Sequence, residues 1–313
     1  MEINGRAVSD LALGTAVYRG GEREADAFRL MDVYRECGGN IFDTARVYGE
    51  SESVIGRYLK ARGCRGEVLI STKGGHHDLV TKEKRINREA IYNDVDVSFK
   101  NLGIDYADIY WLHRDDVDVP VSEIMGIFSD LVKEGKILSI GVSNWTCERI
   151  SQANKFAATN GLPRIIASQI KHSAAVTVFE SDPTMLSLDE ASRVFYANEK
   201  MPVFAYTAQA KGLFSKLERL GVDGISEGLG REFICDETLR RFYVMSEISR
   251  VLGRPINQVA LAALLCDPRL EIIPIIGGRK REQIEDSFAA LDIKLSREQF
   301  DRIFRGKNED LQF

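Results

Sequence analysis

The chain has 313 residues, is 44% hydrophobic and 28% charged, and carries a formal net charge of −5. That length is too great for one β-sandwich, and the mildly acidic balance excludes a basic nucleic-acid surface and a polybasic membrane anchor. No apolar run reaches the roughly 18–20 residues a membrane helix needs, and the longest, "VALAALLC" (259–266), has the length of a core helix.

The N-terminal "MEINGRAVSD" lacks the charged-then-apolar pattern of a signal segment. "MEINGRAV" reads as a short hairpin turning at Asn4-Gly5. Short apolar runs then alternate with stretches of helical period. "LALGT" (11–15) precedes a helix near 23–36, "NIFDTA" (40–45) one near 51–62, and "EVLISTK" (67–73) one near 87–101. "ADIYWLH" (107–113) leads to a helix near 121–134, and "ILSIGVSN" (137–144) to one near 146–160. "IIASQ" (165–169) is followed by a helix near 188–199, and "VFAY" (203–206) by a long glycine-bearing loop (211–236) that reads as a lid. Helices near 237–252 and 256–266 follow, then "EIIPII" (271–276), a helix near 281–290 and a last one near 296–305. Cys37, Cys64, Cys147, Cys235 and Cys266 are odd in number, with no CxxC pair, and read as reduced thiols of a cytoplasmic protein.

Eight strand–helix units imply parallel pairing with right-handed crossovers. An open doubly wound sheet usually announces itself with GxGxxG after an early strand, and none is present. The expected fold is therefore one α/β domain over 1–313, a closed (β/α)8 TIM barrel with a short N-terminal hairpin and a C-terminal helix.

In such a barrel the chemistry lies at the C-terminal ends of the strands. Successive runs here end in Asp43, Lys73, His113, Ser143-Asn144, Gln169 and Tyr206. A lysine is almost never fully buried unless paired, and closure would set Lys73 beside Asp43 as its partner. Tyr48, five residues past Asp43, is the group this pair would act on. An adjacent ammonium favours phenolate and would lower its pKa, making Tyr48 a usable proton donor. His113 would hydrogen-bond and orient a carbonyl oxygen. Only Asp43 qualifies for a paired-carboxylate glycosidase, and "HHD" (76–78) lacks metal-ligand spacing, so neither a glycosidase nor a metal hydrolase is expected.

With these residues placed, the sequence resembles the aldo-keto reductase superfamily along nearly its whole length. "FDTARVYGESESVIG" (42–56) is similar to that family's Asp…Tyr block, "ISTKGG" (70–75) to its lysine block and "DIYWLH" (108–113) to its histidine block. "KILSIGVSNW" (136–145) and "IIPIIGGRKREQIEDS" (272–287) resemble its cofactor stretches. The resemblance implies a catalytic tetrad of Asp43, Tyr48, Lys73 and His113. It implies hydride transfer between a nicotinamide cofactor and a small-molecule carbonyl or alcohol: an aldehyde, ketone or sugar. Tyr48 would be the acid in reduction and the base in oxidation.

The implied cofactor contacts are Thr15, Asp43, Ser143, Asn144 and Gln169 toward the nicotinamide, with Tyr206 stacked on its ring. Thr207, Ala208, Gln209, Lys211 and Gly212 would cover the pyrophosphate, and Gly278, Arg279, Gln283 and Ser287 would hold the adenosine end. Three cations, Arg279 to Arg281, precede a helix N-terminus, a setting for a phosphate dianion. NADP(H) is therefore expected ahead of NAD(H), which is not excluded. Ala208 stands where a proline is common in the family, and Ser287 where an asparagine is. Tyr18, His77, Trp111 and Trp145 are candidates to line the substrate pocket. The chain ends at Phe313, soon after the last helix, so an open pocket without a long C-terminal loop is expected. The alternative reading on the same fold is a non-catalytic, nicotinamide-binding regulatory subunit. Oligomeric state does not follow from the sequence.

Overall fold

The computed structural model describes residues 1–306; the expectation about the segment after the last helix lies outside them. A two-stranded antiparallel hairpin opens the chain, β1 (Glu2–Ile3) with β2 (Arg6–Ala7). Its turn is Asn4-Gly5, both with positive φ, 49° and 73°, as a two-residue hairpin loop requires.

Eight parallel strands follow: β3 (Ala12–Gly14), β4 (Ile41–Asp43), β5 (Leu69–Gly74), β6 (Ile109–Leu112), β7 (Ile140–Ser143), β8 (Ile165–Lys171), β9 (Val203–Tyr206) and β10 (Ile272–Ile276). They close in chain order, with β10 pairing β3 through Ile275 and Ala12. Outside them lie α1 (Glu24–Glu36), α2 (Ser51–Arg62), α3 (Arg88–Leu102), α4 (Val121–Lys133), α5 (Cys147–Asn160) and α6 (Glu190–Glu199). After β9 come α7 (Leu213–Leu220), α8 (Glu227–Phe233), α9 (Asp236–Leu252) and α10 (Ile256–Leu265); α11 (Arg281–Ala289) and α12 (Arg297–Phe304) end the described chain. The expected (β/α)8 barrel with its hairpin and last helix is the fold observed.

Two elements differ from expectation. The 211–236 stretch is not an open loop but holds α7 and α8, because Leu213, Phe214 and Leu217 share a helical face that is buried. Strand β8 runs two residues past Gln169, to Lys171. Lys171 is buried because Glu180 and Glu232 accept from its ammonium at 2.8 and 2.6 Å, and that pairing lets a lysine extend a strand.

Two apolar layers hold the fold. The larger one lies between helices and strands. The smaller fills the barrel, where Ala12, Ile41, Leu69, Ile109, Trp111 and Phe204 meet, with Ile3 of the hairpin among them. Because alternate strand residues share a face, these side chains point inward, and so do residues two further along: Asp43, Ser71, His113. The polar mouth is thus built on the same strand faces as the apolar floor. Gly141 is needed there, since a Cβ would lie 2.2 Å from the Trp111 ring.

Candidate active site

Lys73 is fully buried at the end of β5. Its ammonium donates to Asp43 Oδ2 and to the Thr44 carbonyl, both at 2.6 Å. Asp43 Oδ1 accepts from Ser71 Oγ at 2.9 Å and from Gln169 Nε2 at 3.0 Å, across the barrel. Side chains from β5 and β8 therefore converge on one carboxylate of β4. Burial lowers the Lys73 pKa, with the Asp43 charge opposing. A buried pair of this kind adds little net stability, since desolvation offsets the Coulomb gain; its geometry matters more for what stands beside it.

Tyr48 stands there, half-buried in the loop after β4, with its ring centroid 5.2 Å from Lys73 Nζ. The His113 ring lies edge-on to it at 5.7 Å. One expectation is reversed: the Tyr48 pKa is raised, first by burial and then by the Asp43 charge, with Arg114 opposing. Lys73 directs its charge into Asp43 and Thr44, so the ammonium leaves the phenol protonated. A protonated Tyr48 is a proton donor as it stands. Burial, then the Lys73 and Arg114 cations, hold the His113 pKa far below its usual range, so the ring is neutral and able to hydrogen-bond. Its Nδ1 is buried without a hydrogen-bond partner among the described residues. His76 stacks edge-on to it at 4.8 Å and is also neutral, its pKa pushed down to about 4 chiefly by burial.

The expected cofactor residues line the adjoining side. Asn144 takes positive φ, 59°, and its Oδ1 accepts from the Tyr206 hydroxyl at 2.8 Å and the Leu186 N–H at 3.0 Å. Its Nδ2 donates to Ser143 Oγ at 3.1 Å. Just after β9, Thr207, Ala210, Lys211 and Gly212 all have positive φ, from 45° to 75°. Three of these are not glycine, and such backbone strain clusters at ligand sites. Ala208 is buried between them. Gln209 reaches over to donate to Ser287 Oγ at 3.0 Å and accept from the Gly277 N–H at 3.4 Å. Gln283 folds back to accept from the Arg279 and Lys280 N–H groups at 2.7 and 3.2 Å. Gly278 leaves room for it, since a Cβ there would meet the Gln283 Cβ at 3.1 Å. Arg281 pairs with Glu36 and Glu285 at 3.1 and 2.7 Å, while Arg279 and Lys280 are exposed. The strained turn and two exposed cations at one helix N-terminus fit a nucleotide with a terminal phosphate. Thr15 is placed differently from the rest. It is fully buried, and its hydroxyl contacts the Asp43 carbonyl and Ser51 Oγ at 2.8 and 2.7 Å, so it supports Asp43 from behind.

Three of the four substrate-pocket candidates do not line the mouth. Trp111 lies deep in the barrel, edge-on to Phe204 at 5.1 Å, with its Nε1 donating to Ser71 Oγ at 2.7 Å. Trp145 is buried with its Nε1 toward the Arg114 carbonyl at 3.4 Å. Tyr18 is 4% exposed and packs within electrostatic reach of Tyr58 and Tyr34 on α2 and α1. His77 does line a cavity beside the mouth. Arg114, in a stretch (114–116) whose polarity reads as that of a loop, faces His113, and Ser71 has a signal in the sequence, standing two residues before Lys73 and so sharing its face.

Among the described residues no group of three or more His, Cys, Asp or Glu is placed to hold a metal ion, and no helix is long and apolar enough to cross a membrane. A family model described as the aldo/keto reductase family matches residues 10–305. Norsolorinic acid reductase B of Dothistroma septosporum is 31% identical over 288 residues, 88% of this chain and 71% of that protein. Aryl-alcohol dehydrogenase GME11368 of Pestalotiopsis microspora is 28% identical over 97% of this chain and 78% of its own. An aryl-alcohol dehydrogenase [NADP(+)] of Phanerodontia chrysosporium is 27% identical over 89% and 74%.

Proposed function

The chain belongs to the aldo-keto reductase family, and from that premise we propose that it is an NADP(H)-dependent oxidoreductase interconverting a small-molecule carbonyl and its alcohol. The observation that carries the reading is the buried Lys73–Asp43 pair set against the Tyr48 ring, with the neutral His113 ring edge-on to it. When bound, the nicotinamide supplies the hydride to the carbonyl carbon in reduction and accepts it in oxidation.

This chain's residues do the rest. His113 hydrogen-bonds the carbonyl oxygen and orients it. The Tyr48 hydroxyl donates its proton to that oxygen as negative charge develops there. Lys73 stands beside the ring, and its pairing with Asp43 opposes the burial that lowers its pKa. In oxidation Tyr48 must first lose its proton, and Lys73 is the cation beside it. Ser143, Asn144 and Gln169 offer amide and hydroxyl groups to the carboxamide, and Tyr206 offers its ring. Arg279 and Lys280 support NADP(H) over NAD(H), as does the relative named for NADP(+). The free cysteines support a reducing, cytoplasmic setting. The aryl-alcohol dehydrogenases among the relatives put aromatic aldehydes first in a substrate panel.

The test follows NADPH absorbance during incubation with aromatic, aliphatic and sugar aldehydes. Turnover that disappears in Tyr48→Phe supports the enzyme. Cofactor binding without turnover by wild type would instead make the chain a nicotinamide-binding regulatory subunit.

A further inference from the structure

A cavity of about 220 Å3 adjoins the mouth and takes no part in the proton transfer just described. It lies between the loop after β4, through Arg46 and Val47, and the loop after β5, through His76, His77, Leu79 and Val80. It is continuous with the catalytic groups: Arg46 is two residues before Tyr48, Gly74 of its lining follows Lys73, and His76 stacks on His113.

Two arginines and two aspartates line it, and three of the four are held by close partners. Arg85 is neutralised by Asp94 Oδ1 at 2.5 Å, and Asp94 Oδ2 also accepts from the Gly75 N–H at 2.9 Å. Asp78 Oδ1 caps the Val80 and Thr81 N–H groups at 2.8 and 2.7 Å. Arg46 is left over. Its Nε is buried without a hydrogen-bond partner, and its guanidinium makes no ion pair among the described residues. The buried Glu52 lies within electrostatic reach of Arg46 but makes no hydrogen bond to it; its carboxylate accepts from Thr72 and Asn101 at 2.7 and 3.3 Å. Leaving a buried donor unmade costs its full desolvation, more so for a charged group, and native structures retain few such groups without a reason. The other walls are imidazole or apolar. The His76 and His77 rings meet at 4.2 Å, inclined by 43°, and Leu79 and Val80 are 56% and 89% exposed.

We propose that this cavity is a substrate subsite in which Arg46 binds a carboxylate carried on an aromatic ring, the ring lying against the two imidazoles and Val80. This rests on the redox reading above and narrows its substrate class to aromatic aldehydes, and the corresponding alcohols, that carry an acidic group. Charge-assisted pairing to a guanidinium that has no hydrogen-bonded acceptor among the described residues supplies the discrimination.

The experiment compares 4-carboxybenzaldehyde with its neutral ester, methyl 4-formylbenzoate, as substrates with NADPH. It also measures benzoate binding by calorimetry with NADP+ present. Wild type is expected to favour the acid by about tenfold or more in kcat/KM. Arg46→Gln should cut the acid-to-ester ratio and the benzoate affinity by about tenfold each, and Arg46→Lys should give intermediate values if the glutamine variant folds poorly. Equal use of acid and ester by wild type overturns the subsite, as does a ratio and benzoate affinity unmoved by both substitutions. The calorimetry separates the two proposals. Arg46-dependent benzoate binding without turnover of either aldehyde keeps the subsite and removes the redox reading. Ester turnover with Arg46-independent benzoate binding does the reverse.

Discussion

The two ends of the barrel's interior share the same strands and differ in kind. Along β5 the inward face reads Leu69, Ser71, Lys73; along β6 it reads Ile109, Trp111, His113. The lower residues join a buried apolar layer, and the upper ones carry polar and charged groups. Nothing in backbone geometry separates the halves. Side-chain choice at two-residue intervals does, so stability and chemistry are stacked along one strand. Substitutions at the two ends should therefore fail in different measurements.

The largest effect is expected at the mouth. Tyr48→Phe removes the proton donor and should lower kcat by about 10²–10⁴-fold, with the melting temperature almost unchanged. A matching fall in stability would show that Tyr48 belongs to the packed layer instead. At the floor the outcome should invert. Trp111→Ala opens a cavity and leaves the Ser71 hydroxyl without its indole donor, at a cost of about 3–5 kcal/mol in denaturant unfolding.

Acid should probe a place where the two ends blur. His172, just beyond β8, is buried near Arg193 and Arg241, and its pKa is pushed down from 6.5 to about 3, chiefly by burial. The unfolded chain binds this proton first, so stability is whole above about pH 6.5 and falls as the pH drops toward 3. The slope should be roughly 1 kcal/mol per pH unit. The melting temperature should fall with acid across that range, and His172→Gln should lessen the fall, with His76 and His113 accounting for the rest. The smallest effect belongs to the rim. Arg279→Ala with Lys280→Ala should raise KM for NADPH about tenfold and leave NADH nearly untouched. An equal loss for both cofactors would assign the cluster to solvent.

The comparison also shows what the sequence could and could not reveal. Alternating strands and helices gave the barrel, and polar residues closing successive apolar runs gave Asp43, Lys73 and His113, because both signals are local. Depth was not local. Trp111 is close in sequence to His113 and faces the same way, but one step down the strand puts it in the floor. Tyr18 and Trp145 were placed by nearness to strand ends, while their packing depends on helices far away in sequence. The Tyr48 pKa was misread for a related reason. Proximity to an ammonium was legible, but the ammonium's commitment to Asp43 and Thr44 required three dimensions. Arg46 drew no attention because an arginine in a loop is ordinary until its missing acceptor is seen.

The bridge made by Gln209 has a consequence for anyone redesigning coenzyme choice. Its amide ties the left-handed turn after β9 to Ser287 on α11 and to Gly277 at the end of β10. These pieces form a single clasp, so exchanging the Arg279 region alone would graft a new grip onto an old hinge. Libraries that vary Gln209 and Ser287 together with Arg279 should recover switched variants that one-site libraries miss.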